Sequence, residues 1–207
     1  MIFFPSGEVS AKNCSYADFT SLHGKASNNS TFQFSNQDLT LQYDENMCYE
    51  IIEVQRNLKT LFPDLKNLTI SLHTDHNSSC PLYDMTDCPK SLTDVTLNNL
   101  KDKVLPRICQ PQITYLNCHS CDNLKDISSV SYMEKLETLK IAEANLTELE
   151  GNLFEKNKNL KRLDLRKCNI KKVYNNSLNG LANLEEIVLH GNPMKIPSGN
   201  QSTLTYF

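Results

Sequence analysis

The residues best placed for chemistry in this 207-residue sequence lie in the run Cys118-His119-Ser120-Cys121. Two cysteines at this spacing can form half of a structural zinc site. Zinc needs four ligands, however, and no second pair follows at a suitable distance. The residue order also differs from the Cys-x-x-Cys-His run that attaches haem. We therefore predict no metal ion and no cofactor.

Catalytic patterns are equally weak. Serine, histidine and acidic residues are plentiful, but none forms a nucleophile motif or a phosphate-binding loop. Glu185 and Glu186 are adjacent, so on a strand their side chains would point in different directions. His190 follows an apolar residue and is predicted to be exposed. The sequence therefore predicts a protein without catalytic residues.

Two counts indicate the cellular compartment. The chain has 8 cysteines. It also contains many Asn-x-Ser/Thr sequons, which are the acceptor sites of N-glycosylation. The predicted glycosylation sites are Asn13, Asn28, Asn29, Asn67, Asn77, Asn145, Asn175 and Asn200. Together these features favour secretion or an extracellular location, and an intracellular adaptor with accidental sequons is the alternative.

The first eleven residues are interpreted as the remnant of a signal segment. Val9-Ser10-Ala11 places small residues where a signal-peptide cleavage site before Lys12 would need them. Met1 to Phe4 is too short for the apolar region of such a peptide. An ordinary N-terminal tail is the alternative.

The elements that position these residues follow from a repeat. The template Leu-x-x-Leu-x-Leu-x-x-Asn/Cys-x-Leu begins at Leu136, Leu160 and Leu184, a fixed step of 24 residues. Weaker copies begin at Leu65, Leu92 and Ile113. This is the leucine-rich-repeat pattern, in which each unit buries its apolar edge only by stacking on a neighbour. With the first Leu as position 1, positions 1, 4, 6, 9 and 11 are predicted to point inward.

The register predicts an α/β repeat fold: a curved solenoid of about six repeats with a parallel β-sheet on its concave face. Irregular loops and short helices are expected on the convex face, and the polar Asn157 interrupts the apolar convex positions. The predicted boundaries are an N-terminal cap over 12–62, repeats over 63–196 and an incomplete cap over 197–207. Within the cap, alternation predicts strands near 31–34 and 39–41, and 47–61 is expected to hold a short helix.

Cysteine pairing remains partly open. The register buries Cys118, Cys121 and Cys168, which we expect to be reduced thiols. Cys121 and Cys168 would lie roughly 10 Å apart across two strand spacings, too far for a disulfide. The remaining disulfide candidates are Cys14, Cys48, Cys80, Cys88 and Cys109. The favoured pairs are Cys14–Cys48 and Cys80–Cys88, while Cys80–Cys109 or Cys88–Cys109 is also reasonable.

The sequence resembles a known receptor family. The run from Leu153 to Leu160, which joins two repeats, is similar to the extracellular class of leucine-rich repeat. Within that class, the chain resembles ectodomains of the insect Toll and animal Toll-like receptors of innate immunity. Gly191-Asn192-Pro193-Met194 is similar to the start of that family's C-terminal cap, although the cysteines of that cap are absent here. The resemblance implies a curved solenoid that binds a ligand or partner without catalysis.

The concave face is the predicted binding surface. Its candidate residues are Tyr115, Asn117, His119, Lys140, Lys161, Arg162, Asp164, Arg166, Lys167, Glu185, Glu186 and His190. The row from Lys161 to Lys167 is strongly basic and lies between two acidic rows. Two interpretations stay open: mutual neutralisation on a solvated face, or a charge-patterned docking surface. A glycan on Asn67 would obstruct the first repeat, which moves the expected site to residues 114–190.

These observations predict recognition of a protein ligand or co-receptor, with a homo- or heterodimer as one possible form. A formal charge of −3 and a pI near 6.0 give no reason to expect nucleic acid as a partner. No apolar run approaches the roughly 20 residues of a membrane span. A free-standing secreted adhesion protein and an enzyme inhibitor that uses the concave face are the extracellular alternatives.

Overall fold

The structure is a computed structural model, and it describes residues 31–35, 37–43, 52, 54–72 and 82–194. Several predicted features lie outside these residues. They are the segments 1–11 and 197–207, five of the predicted glycosylation sites and three of the disulfide candidates: Asn13, Asn28, Asn29, Asn77, Asn200, Cys14, Cys48 and Cys80.

One sheet of eight strands organises the described residues. In spatial order the strands are β1 (Thr31–Ser35), β2 (Asp38–Tyr43), β3 (Asn67–Leu72), β4 (Asp94–Asn98), β5 (Tyr115–His119), β6 (Thr138–Ala142), β8 (Arg162–Asp164) and β10 (Glu186–Val188). β1 pairs with β2 antiparallel, and every later pair is parallel. The predicted leucine-rich-repeat solenoid with a parallel sheet is confirmed.

Strand register follows the sequence template. The position-4 residues form one continuous row across the sheet: Leu68, Val95, Leu116, Leu139, Leu163 and Ile187. All six are buried, and the position-6 residues from Ile70 to Leu189 are buried beside them. Steps of unequal length between the early repeats therefore leave the strands aligned, because the segments between strands absorb the difference.

The parallel sheet begins before the first recognisable repeat. In β2, Leu39 and Leu41 align with Leu68 and Ile70 of β3 and are buried as those residues are. The sequence showed only an alternating strand here, because Asn36 occupies the place of the template's first Leu. Part of the predicted helix is present: α1 spans Leu58–Leu61, with Leu58 in the core, and residues 52 and 54–56 are also helical.

The segments that connect one strand of the sheet to the next form the return side of the molecule. They contain little helix: a 3-10 helix, η1, spans Ser128–Tyr132, and the short parallel pair β7 (Glu148–Leu149) and β9 (Lys172–Val173) follows. The polar Asn157 is fully buried among them. Its Nδ2 donates to the carbonyls of Val130 and Met133 at 3.0 and 2.9 Å. This residue therefore joins neighbouring repeats and does not disrupt the core.

The cysteine predictions need two corrections. Cys118 and Cys121 are buried as expected, but they form a disulfide with Cα atoms 6.2 Å apart. Their three-residue separation across the end of β5 brings the two side chains together. Cys88 pairs with Cys109, 5.4 Å apart at Cα, and not with the favoured Cys80. Parallel bridging of Met85 to Ile108 places these two return segments side by side.

Cys168 is a free, buried thiol, as predicted. Its Sγ donates to the Ile141 carbonyl at 3.1 Å. In the next repeat Asn192 occupies the same template position, and its Nδ2 donates to the Leu165 carbonyl at 2.8 Å. Cys168 thus takes over the role of the template asparagine. Burial raises the pKa of its thiol to about 12.

Candidate functional surface

The candidate site is the exposed side of the sheet, which we call the sheet face. Parallel pairing sets its residues in columns, because equal template positions lie side by side. One column runs from Tyr115 through Thr138 and Arg162 to Glu186. A second runs from Asn117 through Lys140 and Asp164 to Val188. Six of the predicted concave-face residues therefore lie side by side in these two columns.

Four cations of the β8 repeat form what we call the basic row: Lys161, Arg162, Arg166 and Lys167. Each has a carboxylate partner. Lys161 Nζ lies 2.8 Å from Glu137 Oε2, and Arg162 Nη2 lies 2.6 Å from Glu186 Oε2. Lys167 Nζ lies 3.4 Å from Glu143 Oε1. Arg166 pairs with Asp164 in its own repeat, with Nε 2.9 Å from Oδ1.

These contacts shift proton affinities in the expected directions. The hydrogen bond to Glu137 raises the pKa of Lys161, and the bond to Asp164 raises the pKa of Arg166. Hydrogen bonds from Lys167 and then Ser120 lower the pKa of Glu143. The basic row is thus largely neutralised by its neighbours. These contacts favour the interpretation in which neighbouring carboxylates neutralise the basic row, over the one in which its positive charges are free to bind a partner.

Asp164 differs from its predicted role. It was expected to project outward as part of the binding surface, but the residue is only 9% exposed. Its carboxylate accepts the Arg166 backbone N–H at 3.2 Å as well as the guanidinium. These two interactions direct the Asp164 side chain toward Arg166, just past the end of β8. Asp164 therefore holds Arg166 in place and offers little surface to a partner.

A different part of the sheet face carries polar groups with few internal partners. Tyr115, Asn117 and His119 point outward from β5, and Lys140 follows on β6. Lys140 Nζ lies 5.5 Å from the centroid of the Tyr115 ring, a cation–π contact. Among the described residues Lys140 forms no ion pair. We call these four residues the β5–β6 strip.

The remaining predicted face residues lie beyond the basic row. Glu186 pairs with Arg162, and Glu185 raises the pKa of Lys161 to a lesser extent than Glu137 does. The His190 side chain is exposed, and its carbonyl accepts the Lys167 backbone N–H at 3.0 Å. Glu185 and His190 are left available to solvent, far along the sheet from the β5–β6 strip.

Three predicted glycosylation sites fall within the described residues. Asn175 is exposed on the return side. Asn145 accepts a hydrogen bond from Asn169 Nδ2 at 2.8 Å, and Asn67 donates to Asp38 at 2.5 Å. Asn67 lies on β3, two strands away from β5. A glycan there would cover the β3 end of the sheet face and leave the β5–β6 strip open.

Sequence reasoning missed a cleft of about 500 Å³ on the return side. We call it the Tyr132 cleft. Its walls come from three successive return segments, 82–84, 102–107 and 128–132. The available signal in the sequence was Tyr132, an aromatic residue in a segment without a template match. The template describes strands well and return segments poorly, so it could not bring these three stretches together.

Within the part of the chain that the structure describes, no group of three or more His, Cys, Asp or Glu side chains is arranged to hold a metal ion. The Cys118–Cys121 disulfide also occupies both sulfur atoms that a zinc ion would have required. No helix within the described ranges is long and apolar enough to cross a membrane.

Comparison with known proteins agrees with the repeat architecture. A search of curated proteins finds no significant match to this chain. The family model described as leucine rich repeat matches residues 134–194. That segment contains β6, β8 and β10, the three strands whose templates follow one another at 24 residues. The match and the aligned strands together support a leucine-rich-repeat family for this protein.

Proposed function

We propose that this protein binds a protein partner through its sheet face, without catalysis, and that the β5–β6 strip is the centre of the contact. Leucine-rich repeats are suited to such binding because a solenoid offers an extended surface. The observation that carries the proposal is the contrast in pairing on that surface. Each cation of the basic row is paired with a carboxylate, whereas Lys140 contacts the Tyr115 ring and forms no ion pair with the described residues.

The residue types of the strip suit a protein interface. Tyrosine contributes a large rigid contact area together with a hydroxyl group, and it is enriched among residues that dominate binding energy. Asn117 and His119 add hydrogen-bonding groups beside it. Lys140 supplies one positive charge that a partner's carboxylate can use without first breaking an ion pair. The strip therefore offers affinity at low desolvation cost.

The extracellular, Toll-type setting is part of the same proposal. Two disulfides within the described residues are typical of oxidising compartments. The sequons and the family resemblance add to this. A shift in mass on treatment of the secreted protein with an N-glycosidase tests the location. An unglycosylated chain with reduced cysteines would contradict it.

Partner binding is tested on an array of extracellular domains probed with the tetramerised chain. Tyr115→Ala combined with Lys140→Glu should weaken every specific hit at least tenfold, because it removes the ring and reverses the free charge. Lys171→Glu, an exposed charge reversal on the return side, is the matched control and should stay within twofold. Partners that bind the Tyr115→Ala, Lys140→Glu variant as tightly as they bind the wild type would contradict the proposal.

A further inference from the structure

We propose that the Tyr132 cleft is a second docking site, separate from the sheet face, and that it takes an acidic peptide segment carrying an apolar side chain. The cleft volume of about 500 Å³ lies in the range of ordinary ligand sites. Two of its wall residues are exposed apolar groups: Val104 is 53% exposed and Tyr132 46%. Single exposed apolar side chains are common, but two on the wall of one cleft give a ligand apolar surface to cover.

Cations surround the exposed ring. Arg107 Cζ lies 5.1 Å from the centroid of Tyr132, and Lys156 Nζ lies 5.7 Å from the same centroid. Neither cation forms an ion pair with any residue in the described ranges. The ring thus contacts two positive charges. The carboxylates of a ligand placed beside the ring can pair with them.

The acidic groups of the cleft are already engaged by the backbone. Asp84 Oδ1 accepts the Arg107 N–H at 2.8 Å, and Asp102 Oδ2 accepts the Leu82 N–H at 3.2 Å. These carboxylates brace the return segments against one another. Each carboxylate keeps its negative charge, so the positive site is confined to the Tyr132 ring, where Arg107 and Lys156 form no ion pair with the described residues. The complementary ligand is anionic.

A buried hydroxyl supplies the polar anchor. Ser129 lines the cleft and is 6% exposed, and its Oγ has no hydrogen-bond partner among the described residues. Leaving a buried hydroxyl without a partner is costly, and a rotation of the Ser129 side chain toward the cleft would let a backbone group of a bound peptide satisfy it. The Ser129 carbonyl is held by Gln110 Nε2 at 2.8 Å. The hydroxyl therefore sits on a fixed piece of backbone.

The apolar groups favour a peptide over a sulfated polysaccharide. A polyanionic sugar chain binds chiefly through its many charges, and it gains little from Val104 or from the exposed part of the Tyr132 ring. A peptide can place an aliphatic or aromatic side chain against those two residues and its carboxylates against Arg107 and Lys156. Aromatic and arginine side chains are also the residues that dominate protein interfaces.

The test begins with a phage-displayed library of random 12-residue peptides selected on the full-length protein. We expect enriched peptides with two or more acidic residues next to an apolar one. In fluorescence polarisation, Arg107→Glu combined with Lys156→Glu should weaken these peptides at least tenfold, and Tyr132→Ala at least fivefold. Peptides with their acidic residues changed to lysine should bind the double reversal better than they bind the wild type.

Controls separate this site from the alternatives. Lys158→Glu, a reversal of an exposed lysine next but one to Lys156 in sequence, should stay within twofold. Tyr115→Ala should also stay within twofold, so failure of this site is distinguishable from failure of the sheet-face proposal. If a reversal variant loses its native circular dichroism spectrum, Arg107→Gln with Lys156→Gln replaces it and should weaken binding at least threefold.

Three results would overturn the proposal. They are enrichment of no peptide, enrichment of peptides without acidic residues, and equal weakening by Lys158→Glu. Binding of heparin that all charge reversals weaken alike, in the absence of peptide enrichment, would identify a non-specific polyanion surface instead.

Discussion

The basic row of the sheet face and the cations around the Tyr132 cleft use positive charge in opposite ways. On the sheet face, each of the four cations lies within ion-pair distance of a carboxylate, three of them on a neighbouring repeat. At the cleft, Arg107 and Lys156 contact an exposed ring. A dense run of lysine and arginine is therefore a poor guide to where a partner docks. The charges without internal partners are the informative ones.

The largest expected effect comes from breaking one ion pair of the basic row. Arg166→Glu should lower the free energy of unfolding by about 2–3 kcal/mol, because it leaves the mostly buried Asp164 facing a like charge. A loss of that size corresponds to a Tm decrease of several degrees in a domain of this length. Urea denaturation followed by circular dichroism measures it. A change below about 0.5 kcal/mol would show that the Asp164–Arg166 pair contributes little.

The matched change in the same row is Arg162→Glu. Arg162 and Glu186 are both about half exposed, so this reversal should cost no more than about 1 kcal/mol. Equal losses for Arg162→Glu and Arg166→Glu would contradict the different burial of their two partners.

At the cleft, the same type of substitution should have little effect on stability. Arg107→Glu and Lys156→Glu are each expected to change the free energy of unfolding by less than about 0.5 kcal/mol, because neither cation is paired with a carboxylate among the described residues. Urea denaturation under the conditions used for the sheet-face variants checks this. A loss above about 1.5 kcal/mol would mean that these cations are structural, as those of the basic row are.

The smallest effect concerns one exposed carboxylate. The pKa of Glu143 is lowered by Lys167 and then by Ser120. Its contribution to stability is therefore present above the unfolded-state pKa and is lost as pH falls through the folded-state value. Lys167→Ala should raise the pKa of Glu143 toward its ordinary value, as followed by NMR titration of the side-chain carboxyl. An unchanged titration would remove Lys167 as the main cause.

The sequence predicted the sheet better than the site. Positions 4 and 6 of the template are buried in every described repeat because neighbouring parallel strands must present the same side chains to one core. The candidate surface was predictable for the same reason. Its energetics were not predictable, since Asp164 ends a strand only three residues long, and there its carboxylate turns to Arg166 and is mostly buried. Likewise, the sequence did not indicate that the Asn157 side chain donates to two backbone carbonyls.

The sequence by itself determined the repeat, its register and the division of side chains into buried and outward columns. These are local and periodic properties, and a fixed template repeated along the chain expresses them directly. Only the tertiary structure decided which cysteines pair, which cations are neutralised and where the Tyr132 cleft opens. The Cys88–Cys109 disulfide and the cleft depend on how return segments of unequal length pass one another, while the ion pairs depend on side-chain conformations within the columns. The template constrains the strands and leaves those paths free.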